Sequence, residues 1–177
     1  MYHHLTTVVT SIAGAQDGAI DANAADLTRE NAHIQVQSGL AWVSCYDLQA
    51  VACHAAAWHA AQDAGTALPA EARTRQVPAR MIGSVIVRAR GLIQPQVYNA
   101  TDSDQQPYVE VIVGPLRTRA YDQTAISSIT ATWGRALNLA LALWNTRADT
   151  ITTPGVQQML TRGGIGRITR DGLPPKP

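Results

Sequence analysis

The side chains best able to bind an anion in this sequence are four arginines in its second half. Arg117 and Arg119 lie in the stretch YVEVIVGPLRTRAY, residues 108–121, where apolar and polar residues alternate on both sides of a Gly-Pro pair. Such alternation is typical of half-buried strands, so the stretch predicts a β-hairpin. The expected register pairs Val113 with Leu116, Val111 with Thr118 and Val109 with Ala120 on the core face, and Ile112 with Arg117, Glu110 with Arg119 and Tyr108 with Tyr121 on the other.

Arg88 and Arg90 lie in a second alternating stretch, SVIVRARGL, and are expected to add to the same sheet face. Guanidinium groups bind phosphate and carboxylate oxygens through paired hydrogen bonds. Tyr108 and Tyr121 are available on the hairpin to stack on nucleic-acid bases. These residues offer a face for an anionic partner, but Glu110 and Ile112 interrupt the arginines, so an ordinary solvated face partly neutralised by Glu110 is the favoured interpretation.

Four potential metal ligands lie in the first half of the chain: Cys45, Cys53, His54 and His59. If this segment is one helix, Cys45 and His59 are roughly 21 Å apart along its axis. One helix therefore cannot gather these ligands around a tetrahedral zinc ion. We expect buried thiols instead, with His54 stacking on Trp58 and His59 pairing with Asp63, each four residues apart.

The sequence offers no recognisable catalytic motif. All five histidines lie in the first segment beside helix-like sequence, so they support no Ser-His-Asp or Cys-His arrangement. The stretch GGIGR at residues 163–167 follows no predicted strand and lacks the Gly-Lys-Ser/Thr of a phosphate-binding loop. We therefore expect no catalytic residues, no cofactor and no small-molecule substrate.

Charge is distributed unevenly along the 177 residues. Residues 1–72 hold one basic and seven acidic residues, a net charge of −6, whereas residues 73–177 hold 13 basic and six acidic residues, a net charge of +7. The asymmetry suggests two segments with different roles. The sequence shows no apolar run long enough to span a membrane and no signal-peptide pattern, so an intracellular protein, cytoplasmic or peripheral to a membrane, is expected.

Periodicity divides the chain near residue 79. Residues 38–65 are predicted to form an amphipathic helix, and LTTVVTSIAGA, residues 5–15, a shorter one. A Pro-containing stretch follows, after which the hydrophobic period changes from about 3.6 to 2. This predicts an Ala-rich helical extension over residues 1–79 and a strand-rich domain over residues 80–177. Residues 136–144 fit both a strand and a helix.

The second segment resembles C2 domains in the order of its short motifs. These are GSVIVRARGL, DSDQQPYVEVIVG, LRTRAYDQT, TWGRALNLAL and GIGRI, within residues 81–172. The resemblance implies an α+β chain in which an N-terminal helical segment precedes a C2-like antiparallel β-sandwich. It also implies that residues 136–144 form a strand, and that strands still needed for a complete sandwich are either missing or supplied by the first segment.

The resemblance also suggests two kinds of site. Calcium-binding members of the family place acidic residues in two loops. The first corresponds here to IQPQVYNATDSD, residues 93–104, which offers Asp102 and Asp104 as weak candidates. The second loop has Asn145 and Arg147 near the positions where acids are expected, so calcium-independent behaviour is predicted. Other members hold phosphoinositide headgroups through basic strand residues, which Arg117 and Arg119 match.

Together these features predict a non-catalytic protein-interaction or structural subunit that carries a calcium-independent C2-like domain. It would belong to a larger multiprotein complex or lie peripheral to a membrane, with other proteins as its main partners. The alternative is a binding module that uses the basic sheet face for anionic lipid headgroups or, less favoured, for nucleic acid.

Overall fold

The chain forms two four-stranded sheets and two long helices in a computed structural model that describes residues 7–23, 32–71 and 85–144. The fold is therefore of the mixed α+β class, as the sequence predicted. The elements are β1 (Val8–Ile12), β2 (Ile20–Asn23), β3 (His33–Ser38), β4 (Ala41–Cys45), α1 (Leu48–Ala64), β5 (Val85–Ala89), β6 (Gln96–Thr101), β7 (Pro107–Val113), β8 (Leu116–Ala120) and α2 (Gln123–Leu143).

The two sheets have the same topology. One has the strand order β2-β3-β4-β5 and the other has the order β6-β7-β8-β1. In each, three antiparallel strands are followed by a fourth that runs parallel to its neighbour. The hairpin of β7 and β8 has the predicted register, with Val113 opposite Leu116 and Glu110 opposite Arg119. Gly114, at φ +60°, occupies the turn position that requires a positive φ.

The matching topology reflects an internal duplication. The order of four strands and a helix occurs twice, as β1 to α1 and again as β5 to α2. Residues 33–64 align with residues lying 75 positions further along the chain, and β1 and β2 align with β5 and β6 at a spacing of 77. Identical residues at the first spacing are Val36 and Val111, Gly39 and Gly114, Tyr46 and Tyr121, Asp47 and Asp122, Ala50 and Ala125, Ala56 and Ala131, Trp58 and Trp133, and Ala61 and Ala136.

Each repeat gives its first strand to the other repeat. Strand β1 pairs with β8, and β5 pairs with β4, so each sheet contains three strands of one repeat and one of the other. The segments before and after residue 79 thus both contribute to both sheets. Buried side chains of the two segments also form a single hydrophobic cluster, in which α1 packs against α2 and against β6 and β7.

Two equivalent aspartates fasten the exchanged strands. Asp47 caps the N-terminus of α1 by accepting a hydrogen bond from the Ala50 backbone N–H, 2.8 Å, and it accepts a second from Gly91, 2.6 Å, just after β5. Asp122 caps α2 in the same way, with Ala125 at 2.6 Å and Gly14, just after β1, at 2.7 Å. Each carboxylate therefore satisfies a free helical N–H and ties the helix to a strand of the other repeat.

The helices predicted in the first segment are partly wrong. Residues 8–12 form strand β1, and residues 41–45 form β4, so the long helix begins at Leu48 and not near residue 38. The alternation of Val8, Thr10 and Ile12 suits a strand, but its partner β8 lies more than 100 residues away in sequence. Residues 96–101, interpreted as part of a loop, form strand β6.

Residues 136–143 belong to helix α2 and not to the strand that the C2 resemblance implies. The buried side chains of this helix follow the helical period, with Ile129, Trp133, Leu137 and Ala140 turned to the core. A strand would have placed Leu137 and Leu139 on one face, whereas Leu139 is 37% exposed and Leu137 is fully buried. Residue 144 ends the helix as its C-cap.

Candidate functional site

The structure does not bring the four predicted arginines to one face. Arg88 lies on β5 and Arg90 directly after it, in the β2-β3-β4-β5 sheet, whereas Arg117 and Arg119 lie on β8 in the other sheet. The expected four-arginine patch is therefore divided into two pairs. Each pair has its own neighbours and its own electrostatic surroundings.

The pair on β8 is held by a buried carboxylate. Glu110, 2% exposed, accepts hydrogen bonds from Nη2 of Arg117 at 2.8 Å, from Nε of Arg119 at 3.1 Å and from the hydroxyl of Tyr98. The predicted pairing of Glu110 with Arg119 is confirmed. Arg117 and Tyr98 complete the cluster, and Tyr98 was missed because β6 was interpreted as a loop.

This cluster keeps Glu110 ionised. Burial alone would raise the pKa of the Glu110 carboxyl. Hydrogen bonds from Tyr98 and Arg119 and the positive charges of Arg117 and Arg119 outweigh that effect, so the pKa lies below its usual value. One of the two positive charges is thereby compensated inside the protein, which leaves this face a weak attractor for anions.

The tyrosines of the hairpin are also engaged with each other. The ring centroids of Tyr108 and Tyr121 lie 5.5 Å apart, and the guanidinium of Arg119 lies 5.1 Å from the Tyr108 centroid. Tyr108 is only 7% exposed, so little of its ring is open to a nucleic-acid base. The cluster of Tyr98, Tyr108, Glu110, Arg117 and Arg119 has the character of a structural network that covers its sheet.

The other arginine pair lies on a more open surface. Trp42, Ser44 and Tyr46 on and after β4 adjoin Ile86, Arg88 and Arg90 on and after β5. Arg88 and Arg90 are exposed, and no carboxylate within the described ranges forms an ion pair with either. We call Leu40, Trp42, Tyr46, Ile86, Arg88 and Arg90 the β4–β5 face.

Aromatic contacts order one end of the β4–β5 face. The guanidinium of Arg90 lies 5.4 Å from the ring centroid of Tyr46, and the His33 ring lies 5.2 Å from the same ring. His33 and Tyr46 occupy the positions that Tyr108 and Tyr121 occupy in the other repeat. The duplication thus places an aromatic pair on both sheets. The arginines beside these pairs, Arg90 and Arg119, are not at equivalent positions, and only the β4–β5 face leaves its arginines without an ion-paired carboxylate among the described residues.

The weak calcium candidates build a turn. Asp102 Oδ1 accepts hydrogen bonds from the backbone N–H groups of Asp104 at 2.9 Å and Gln106 at 3.0 Å, which is an Asx-type turn between β6 and β7. Within residues 7–23, 32–71 and 85–144, no three potential ligands gather in a way that could hold a metal ion. Asn145 and Arg147 of the second predicted loop lie outside the described residues.

The cysteines are buried thiols, and burial raises the pKa of both. Cys53 Sγ accepts a hydrogen bond from the backbone N–H of Ile93 at 3.4 Å. A raised pKa disfavours the thiolate, which is the reactive form of cysteine. These residues therefore serve packing and offer no nucleophile.

His54 stacks on a different tryptophan from the one predicted. Its ring lies parallel to that of Trp133 on α2, with centroids 4.4 Å apart, instead of contacting Trp58 on its own helix. Complete burial lowers the pKa of His54 from 6.5 to about 3. His59 Nδ1 lies 3.2 Å from Gln62 Oε1, one residue before the predicted Asp63. His54 therefore lies in the interface between α1 and α2, and His59 lies near the exposed end of α1.

Two shallow grooves border the connection between β1 and β2. They have volumes of about 360 and 400 Å³ and share Gln16, Asp17 and Gly18. Asp17 is the only ionisable group in the first, and Arg135 joins it in the second. The residues that line these grooves include no histidine and no second carboxylate, the groups most often used in general acid–base catalysis.

Among the described helices, none combines the length and apolar character that a membrane crossing requires. Comparison with protein-family models, with curated proteins and with solved structures gives no match to this chain.

Proposed function

We propose that this chain is a non-catalytic protein-interaction or structural subunit of a larger assembly, and that the β4–β5 face is its contact surface. The supporting observation is the composition of that face. Ile86 is 58% exposed and Leu40 is 43% exposed, and they flank Trp42 beside two arginines. Tryptophan, tyrosine and arginine are the residues that most often dominate the energy of protein interfaces.

The two sheets differ in a way that favours this face. On β8 the arginines share the carboxylate of Glu110, so their charge and hydrogen-bonding capacity are partly used within the chain. On β5 the position equivalent to Val9 carries Ile86, and the next outward position carries Arg88 where β1 has Ser11. The β4–β5 face thus combines exposed apolar area with uncompensated charge among the described residues.

A calcium-independent C2-like role for residues 81–172 belongs to the same proposal. It is supported by the order of the sequence motifs and receives no support from α2, which occupies the place of an implied strand. A contact with anionic lipid headgroups through Arg88 and Arg90 is the alternative. It would use charge alone and would not require Trp42 or Ile86.

Site-specific photo-crosslinking in cells that express the chain tests the proposal. A photoreactive phenylalanine analogue at position 86 should give discrete crosslinked protein products, and the same analogue at the equivalent position 9 should not. Trp42→Ala in the first variant should remove those products, because it deletes the aromatic anchor of the face. Products of equal yield from both positions, or none from position 86, would contradict the proposal.

A further inference from the structure

Strand β5 forms an edge of its sheet. It pairs with β4 on one side, and no strand among the described residues pairs with its other side. The backbone N–H and C=O groups along such an edge point outward and can accept a further strand. Strand addition to an exposed edge is a common way for a domain to bind an extended peptide.

The side chains beside this edge have a regular pattern. Ile86 and Arg88 occupy alternate positions of β5 and are exposed, and Arg90 follows with the same spacing directly after the strand, before the bend at Gly91. Alternate residues of a strand are about 7 Å apart and lie on one face. The order apolar, arginine, arginine therefore matches alternate side chains of an added strand with the order apolar, acidic, acidic.

The duplication shows that folding does not require these side chains. Strand β1 occupies the equivalent edge of the other sheet, with the same parallel pairing. Its corresponding residues are Val9, Ser11 and Ala13. The same architecture forms with uncharged residues at these positions. The arginines of the β5 edge are therefore not needed for folding, and we look for their role in binding.

We propose that the β5 edge binds an extended acidic segment of a partner protein, which adds a fifth strand to the β2-β3-β4-β5 sheet. Carboxylates at alternate positions of that segment pair with Arg88 and Arg90, and an apolar residue packs against Ile86 and Trp42. Backbone hydrogen bonds supply affinity, and the two charge pairs supply selectivity for acidic sequences. This inference rests on the proposed function and names the chemistry of the partner.

A labelled synthetic peptide tests the inference with the full-length chain. The probe is fluorescein-Thr-Val-Thr-Glu-Thr-Glu-Thr-Val-Thr-amide, whose residue order reads the same in both directions, so it fits a parallel or an antiparallel register. Fluorescence anisotropy should show saturable binding that weakens as salt increases, because exposed charge pairs are screened. Replacing both glutamates with lysine should abolish binding.

The double variant Arg88→Ser/Arg90→Ala makes the β5 edge resemble β1 and is therefore compatible with the fold. Its dissociation constant for the probe should rise about fivefold to tenfold, as expected for two exposed charge pairs. The matched control Val9→Ala/Ser11→Ala on β1 should bind as the unmodified chain does. Hydrogen exchange of the complex should show new protection at the backbone amides of residues 85–89.

Three results would overturn the inference: no binding of the probe, equal binding of the lysine peptide, or protection outside β5. Binding to vesicles of anionic phospholipid with no binding to the peptide would also overturn it, in favour of a membrane contact. If the probe fails while crosslinking from position 86 still depends on Trp42, the proposed function stands and only strand addition is refuted. If both fail, the β4–β5 face is not a protein interface.

Discussion

The stacked His54–Trp133 pair makes a quantitative prediction about stability and pH. His54 is on α1 in the first repeat and Trp133 is on α2 in the second, so the pair lies in the contact between the repeats. Its Nε2 atom is buried and has no hydrogen-bond partner in the described structure. Protonation would place an unpaired positive charge there, which is why burial lowers the pKa of His54 to about 3.

The sign of the effect follows from the two states of the chain. Unfolded His54 binds a proton near pH 6.5, whereas folded His54 binds one only near pH 3. Between these values the unfolded state carries the extra proton, so the free energy of unfolding decreases as pH falls. Each pH unit in this range costs about 1.4 kcal/mol. The decrease from pH 7 to pH 5 is therefore roughly 2 kcal/mol, or about 4–8 °C in Tm for a domain of this size.

Chemical denaturation at half-unit steps from pH 7.5 to pH 5 measures this slope. Most carboxylates stay ionised above pH 5 in both states, so they add little to it. The variant His54→Ile places at position 54 the residue that occupies the equivalent position 129, and it should give a nearly flat profile. Ile129→Val is the matched control, since it should lower stability by about 1 kcal/mol at every pH and keep the slope. A flat profile for the unmodified chain, or an unchanged slope in His54→Ile, would refute the reasoning.

Three further predictions concern the duplicated architecture. Asp122→Ala removes the helix cap of α2 and the acceptor for the Gly14 N–H, so chemical denaturation should show that the free energy of unfolding falls by about 2–3 kcal/mol. A change of no more than about 0.5 kcal/mol, which is typical of ordinary surface substitutions, would contradict the role of the cap. Gly18→Ala should destabilise the fold by about 1–3 kcal/mol, because a Cβ there would clash with the side chain of Thr132. Thr132→Ala should restore part of the loss, and additive losses in the double variant would contradict the clash. Cleavage at a protease site inserted within residues 72–84 should leave two fragments that co-elute in size-exclusion chromatography, because β1 and β5 are exchanged; separate elution of folded fragments would contradict a shared core.

Local patterns predicted some of the elements, among them the β7–β8 hairpin, strand β5 and the middle of α1. The β7–β8 hairpin was predicted with its register because Gly114 fixes the turn and the alternation on both sides fixes the faces. The middle of α1 was predicted from its helical spacing. Strand β1 was not, since it is stable only as the neighbour of β8, and a short apolar stretch by itself fits a helix or a strand.

The divided arginine pairs could have been foreseen from a signal that was present in the sequence. The dipeptide Tyr-Asp occurs at residues 46–47 and again at 121–122, and each copy is followed eleven residues later by tryptophan. Comparing the chain with itself at this spacing of 75 would have identified the duplication, and the spacing of 77 that holds for the first two strands would have shown Arg88 to be equivalent to Ser11. The signal is weak because the spacing is 77 for the first two strands of each repeat and 75 for the later strands and the helix, and most aligned residues differ.

The duplication also gives a criterion for separating folding from function in this chain. Where two equivalent positions carry different residues in the same backbone, the architecture has accepted both, so the difference needs another explanation. Ala13 and Arg90 are one such pair. Trp42 and Arg117 are another: Trp42 lies beside Ile86 in one sheet, and Arg117 lies beside Val9 in the other. These two unequal pairs lie on the outer faces of the sheets, whereas the identical pair of Asp47 and Asp122 fastens the helices to the exchanged strands. The β4–β5 face carries half-buried Trp42 and exposed Arg88 where the other sheet carries Arg117 and Ser11. We therefore expect substitutions of Arg88 to change binding while leaving stability intact.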